Sequence, residues 1–128
     1  MTLLAFEPES DIERRILDVQ AQTYSADALM REMANHDLYM PSKSEVREDG
    51  SGFVPVLVDQ GGMLFVAVFT ALSRPPRGLA EYVLKANGGA FFRRLPSGYG
   101  VIFNPGYDAQ LLLPPDGAAM LKRDLHKT

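Results

Sequence analysis

A chain of 128 residues, 46% of them apolar, is long and apolar enough to fold around one core of its own. Its net charge of −3 speaks against nucleic-acid binding, which rests on a basic stripe, and the lack of cysteine excludes disulfides, thiol catalysis and cysteine-held metals. No stretch approaches the ~20 apolar residues that cross a bilayer, and Met1-Thr2-Leu3-Leu4-Ala5-Phe6 lacks the basic start and long apolar run of a signal peptide. A cytoplasmic protein with neither membrane nor nucleic acid as partner is expected.

Residues 1–9 read as a flexible lead, and the domain as residues 10–126. Ser10-Asp11-Ile12-Glu13 has the form of a capping box. Ile12, Ile16 and Val19 recur at helical spacing, with Arg14 and Asp18 on the polar face, and predict a helix of about three turns. Ser25 caps a second helix, in which Ala26, Leu29, Met30, Met33 and Ala34 form the cleanest apolar stripe of the chain. Asn35-His36 ends it. Asp37 to Pro41 is a short extended segment.

Ser42 to Gly52 is polar and shows no period, which predicts a mobile loop. Val54–Val58 reads as a strand with Pro55 near its start. Asp59-Gln60-Gly61-Gly62 is a turn. Met63–Phe69, apolar at every position, reads as a central strand paired antiparallel to it. A proline-bearing loop, Ser73–Arg77, comes next. Leu79, Tyr82 and Val83 at i, i+3, i+4 predict a short helix over Leu79–Ala86, stopped by Asn87-Gly88-Gly89. Ala90–Leu95, Tyr99–Phe103 and Gln110–Leu113 read as strands. Pro114-Pro115-Asp116 opens a last helix with Ala118, Leu121 and Leu125 on one face and Lys122, Arg123 and Lys127 near its negative end. The order of elements predicts an α+β single domain: two opening helices, a largely antiparallel mixed sheet of about five strands, a short middle helix and a C-terminal helix.

No pattern of residues carries chemistry outright. Gly98-Tyr99-Gly100 precedes a strand, not the helix that a phosphate loop needs. His36 and His126 have no partner at metal-ligand spacing, so no metal or other cofactor is expected. Glu45, Glu48 and Asp49 lack the regular spacing of a calcium loop. Arg74-Pro75-Pro76-Arg77 and Arg93-Arg94 could meet acidic groups. On the strand reading, however, Phe91 and Arg93 lie on one face and Phe92 and Arg94 on the other, which splits any basic aromatic platform. Asn104-Pro105-Gly106 is a turn: Pro105 sets φ, Gly106 allows φ > 0, and Asn104 either bonds onward to backbone or aims its amide into a pocket.

Four stretches in order resemble the N-terminal domain of the SseB (enhanced serine sensitivity) family of bacterial proteins. They are Leu38-Tyr39-Met40-Pro41, the hairpin from Val56-Leu57-Val58 to Leu64–Thr70, Gly100–Gly106, and Leu113-Pro114-Pro115 leading into a helix. The likeness spans roughly Ile16 to Leu125 and includes no counterpart of the second domain of longer members. It brings no catalytic residues, and a link to secretion systems only remotely.

The expected function is therefore a non-enzymatic protein–protein interaction module with an unknown protein partner, through strand addition or dimer formation. Tyr39, Asn104 and Tyr107 are the candidate interaction residues, since tyrosine suits interface cores. The alternative is a small-ligand sensor with Met30, Met33 and Phe65 lining its pocket. A hydrolase or transferase would need two acids in one cleft with separated pKa values.

Overall fold

The computed structural model describes residues 3–126. Lys127, expected at the end of the last helix, lies outside them. The chain is α+β. Helices α1 (Asp11–Gln20) and α2 (Ala26–Met33) lead into strand β1 (Asp37–Ser42), the hairpin β2 (Leu57–Gln60) and β3 (Met63–Val68), and strand β4 (Tyr82–Asn87). Helix α3 (Gly88–Arg94), strands β5 (Tyr99–Phe103) and β6 (Leu111–Leu113) and helix α4 (Pro115–His126) complete it.

Both opening helices begin where a serine side chain takes an amide of the first turn: Ser10 from Glu13 and Ser25 from Ala28. Their apolar stripes, Ile12 with Ile16 and Leu29 with Met30 and Met33, enter one common core. The main sheet has the order β2-β3-β5-β6, and β1 pairs with β4 as a separate two-stranded ribbon. The two are joined where Tyr39 and Phe69 exchange backbone hydrogen bonds of 2.9 and 2.8 Å. β3 and β5 run parallel, all other pairs antiparallel. A parallel pair needs a long crossover, here residues 69–98, and β4 and α3 are built inside it. In β3 and β5 the inner positions are buried on both faces, as a run apolar at every position requires. The rings of Phe92 and Phe103 meet at 6.4 Å and place α3 against the sheet.

Between residues 79 and 95 the expectation inverts helix and strand. Residues 79–86 are not a helix, since Tyr82–Asn87 is strand β4, paired with β1 from Asp37↔Asn87 to Ser42↔Tyr82. Residues 90–95 are not a strand but most of α3. Three apolar residues at i, i+3, i+4 are too short a signal to override a tertiary partner, and β1 supplies that partner. Asn87 does not stop a helix but starts one: its side chain accepts from the Ala90 amide. The two glycines after it let α3 sit against the end of α2. A Cβ on Gly88 would stand 2.0 Å from the Met33 carbonyl oxygen. The split of Phe91 and Phe92 to opposite sheet faces falls with the strand, and both rings are buried. The second strand starts later than Val54: Pro55 lies in an isolated bridge to Ser42, and the ladder begins at Leu57.

The opening residues are also held. Leu4 forms a bridge to Tyr107, the Leu4 amide donates to the Gly106 carbonyl at 2.9 Å, and the Asp108 amide donates back to Leu4. Phe6 is buried against Tyr107. What reads in sequence as a flexible lead is, from Leu4 onward, a strap across the Asn104–Asp108 turn.

Candidate functional site

Among the described residues the buried polar cluster and the cleft of the β1–β4 ribbon are distinct places. The first lies where α1, the end of β3 and the turn after β5 meet. Glu13 follows Ile12 on the buried side of α1 and is 0% exposed; Arg74, in the loop after β3, is 5% exposed. The guanidinium grips the carboxylate with both prongs, Nη2 to Oε1 at 2.7 Å and Nε to Oε2 at 3.1 Å. The Thr70 hydroxyl donates to Oε2 and accepts from the Asn104 Nδ2 at 3.0 Å. The Asn104 Oδ1 accepts from the Thr70 amide at 3.1 Å. Glu13 also accepts from the Glu9 amide at 2.8 Å, so the capping box closes on the residue before the cap. The Tyr107 hydroxyl donates to the Arg74 carbonyl at 2.7 Å, and the Phe6 ring lies 4.2 Å from the guanidinium carbon.

Burial pushes the Glu13 carboxyl up. The hydrogen bonds from Arg74, Thr70 and the Glu9 amide, with the Arg74 charge, outweigh it and hold the carboxyl below the ordinary glutamate range. Among the described residues no buried side-chain nitrogen or oxygen is without a hydrogen-bond partner. This cluster is therefore complete in itself. It fastens helix, sheet and strap together.

The second place is a cleft of ≈ 690 Å³ on one face of the β1–β4 ribbon. Register puts Met40 beside Leu84 and Leu38 beside Ala86 on that face. Phe53 and Pro55 of the 43–56 segment form one wall, and Ala90, Phe91 and Arg94 of α3 the other. That segment folds back on itself: the Ser42 hydroxyl donates to the Ser44 carbonyl at 2.7 Å and accepts from the Val54 amide at 3.0 Å. Glu48 and Asp49 stand at the rim; Lys85 borders the cleft at β4, its register placing its side chain on the ribbon's other face, where its ammonium lies 3.6 Å from Asp37. The Asp49 carboxylate already accepts from the Ser51 amide. The Arg94 side chain has no hydrogen-bond or ion-pair partner among the described residues. A smaller cleft of ≈ 470 Å³ lies between the turn before β5 and α4.

The three predicted interaction residues fall outside both clefts. Asn104 and Tyr107 come together, as their nearness in sequence suggests, but inside the first cluster. Asn104 takes a left-handed φ of 56°, is 0% exposed and aims its amide at Thr70. It presents no amide to a surface pocket and does not bond onward through its side chain. Tyr107 is likewise buried, with its hydroxyl already engaged. Tyr39 is half-buried on the face of β1 opposite the cleft, next to Lys85. Met30, Met33 and Phe65 are core residues that line neither cleft. Glu13 carries a sequence signal of its own: a carboxylate directly beside Ile12 on the apolar side of α1 needs a buried cation, here Arg74. Among the described residues no three His, Asp or Glu gather in a group that could hold a metal ion, and no helix is long and apolar enough to cross a membrane.

Comparison with family models, with curated proteins and with solved structures finds no match.

Proposed function

We propose that the protein is a non-enzymatic interaction module of the SseB N-terminal type, bacterial and cytoplasmic, whose cleft on the β1–β4 ribbon takes an apolar segment of a partner protein. The observation that carries this reading is the cleft itself. Its floor of Met40, Val66, Leu84 and Phe91 is apolar, its rim holds charges of both signs, and the buried pair Glu13–Arg74 is tied up elsewhere in its own cluster. An apolar floor with a mixed charged rim is the anatomy of a protein-binding surface.

A photo-crosslinking residue in place of Ala90, on the cleft wall, tests it in native lysate, with the same residue in place of exposed Met120 on α4 as control. One protein adduct specific to the Ala90 position is expected. Adducts equal from both positions, or from neither, overturn the reading.

The volume and the unpartnered Arg94 favour one second reading, a sensor of a small apolar anion, since ligand pockets run to ~300–1,000 Å³. A ligand at 100 times its Kd stabilises by ~2.7 kcal/mol, which a thermal-shift panel of carboxylates and nucleotides registers as several degrees.

A further inference from the structure

Strand β4 is an edge. Tyr39 and Phe69 exchange both of their backbone bonds, so the N–H and C=O of Tyr39 point away from β4. By antiparallel alternation, Leu38, Met40 and Ser42 then point toward β4, and their partners Ala86, Leu84 and Tyr82 point back. The N–H and C=O of Val83 and Lys85 therefore face outward, and neither residue makes a backbone bond outside the ribbon among the described residues. The other free edges are shorter. β2 has four residues and follows Pro55; β6 has three and runs into Pro114-Pro115. β4 has six residues, no proline and no bulge, and carries exposed Tyr82 and Val83 with exposed Leu79 just before it.

Unprotected edges recruit other strands, and this one is marked for a particular strand. Glu81, just before β4, and Lys85, whose ammonium lies 3.6 Å from exposed Asp37 of β1, are spaced evenly about Val83. An antiparallel copy of β4 whose two-fold axis passes between the two Val83 residues sets Glu81 of each chain against Lys85 of the other. It also pairs the outward backbone groups of Val83 with those of its mate, and places Tyr82 beside Leu84 on the cleft face. A strand of another sequence has no reason to match this charge order, so the same two charges that deter foreign strands admit the chain's own copy. We infer that the protein forms a two-fold homodimer by pairing β4 with β4 of a second copy. The two ribbons then make one continuous four-stranded sheet. A two-fold perpendicular to that sheet leaves both clefts open on the same face, suited to a partner with two docking segments. The dimer does not depend on what the cleft binds.

The absence of cysteine makes a clean test available. A hydrogen-bonded antiparallel pair has Cα atoms ~5.5 Å apart, within disulfide range. Val83→Cys is expected to oxidise to a covalent dimer under mild conditions, and Met120→Cys is expected to stay monomeric. In sedimentation, Glu81→Lys and Lys85→Glu should each weaken the dimer on the order of tenfold by setting like charges opposite one another. The double reversal should restore it. A wild type that sediments as a monomer at every concentration, together with a Val83→Cys chain that fails to cross-link, overturns the dimer. It leaves the cleft reading to its own cross-linking test. Single reversals without effect, or a double reversal that fails to restore association, overturn the register.

Discussion

Glu13 is the buried charged residue of helix α1. Its carboxylate is wholly buried and survives there as an anion because Arg74, Thr70 and the Glu9 amide supply donors to both oxygens. Removing one partner leaves the other charge buried and uncompensated. Arg74→Ala should therefore cost about 3–5 kcal/mol, measurable by urea unfolding. The pH dependence has a definite sign. The folded carboxyl titrates below its unfolded value of about 4.3. The stabilisation is thus fully present above that value and is lost as pH falls through the lower folded pKa. Glu13→Gln should flatten the acid limb of a plot of Tm against pH. A variant with an acid limb as steep as that of the wild type would show that other carboxylates govern it. Asn104 belongs to the same unit: the left-handed turn residue serves to hold Thr70, which in turn positions Glu13.

At the level of elements, the junction of β4 and α3 depends on Gly88. The Gly88 amide donates to the His36 carbonyl at 2.7 Å and the Gly89 amide to the Ala34 carbonyl at 2.8 Å, so the end of α2 and the start of α3 lie backbone against backbone. A methyl group at Gly88 has no room against the Met33 carbonyl. Gly88→Ala, ordinarily a mild change at a helix start, should instead cost about 1–3 kcal/mol through forced displacement, visible as a lowered urea midpoint. An unchanged midpoint would mean that the two helices can part at no cost. The same junction explains the misread region. Leu79–Ala86 carries a weak helical phase and Ala90–Leu95 two adjacent phenylalanines, and local propensity is weak beside a ladder partner forty to fifty residues earlier.

Over the whole molecule, the strap of residues 4–9 closes the cluster that the core alone leaves open. Leu4 bonds the turn after β5, Phe6 covers the Arg74 guanidinium, and the Glu7 carbonyl accepts from it. A chain beginning at Glu9 should lose about 2 kcal/mol from the burial of Phe6 alone, and more from the exposure of Arg74 to water. Guanidinium denaturation of the shortened chain checks this. A midpoint equal to that of the full chain would return these residues to the flexible lead that their composition suggests.

Local patterns alone determined a good part of this protein. The serine caps with apolar stripes behind them specify α1 and α2. The unbroken run Met63–Phe69 specifies a strand, and it is covered on both faces from Phe65 onward, while Met63 and Leu64 are exposed. Asn104-Pro105-Gly106 specifies its turn, and Gly106 takes the expected positive φ of 89°. Each of these is set by atoms a few residues apart. Tertiary structure alone decided the rest. Arg74 meets Glu13 across sixty-one positions, β4 becomes a strand only because β1 lies beside it, and the cleft exists only where that ribbon faces α3. Pairing of a buried charge and selection of a ladder partner depend on which distant groups arrive at the same place, and no local pattern encodes that arrival.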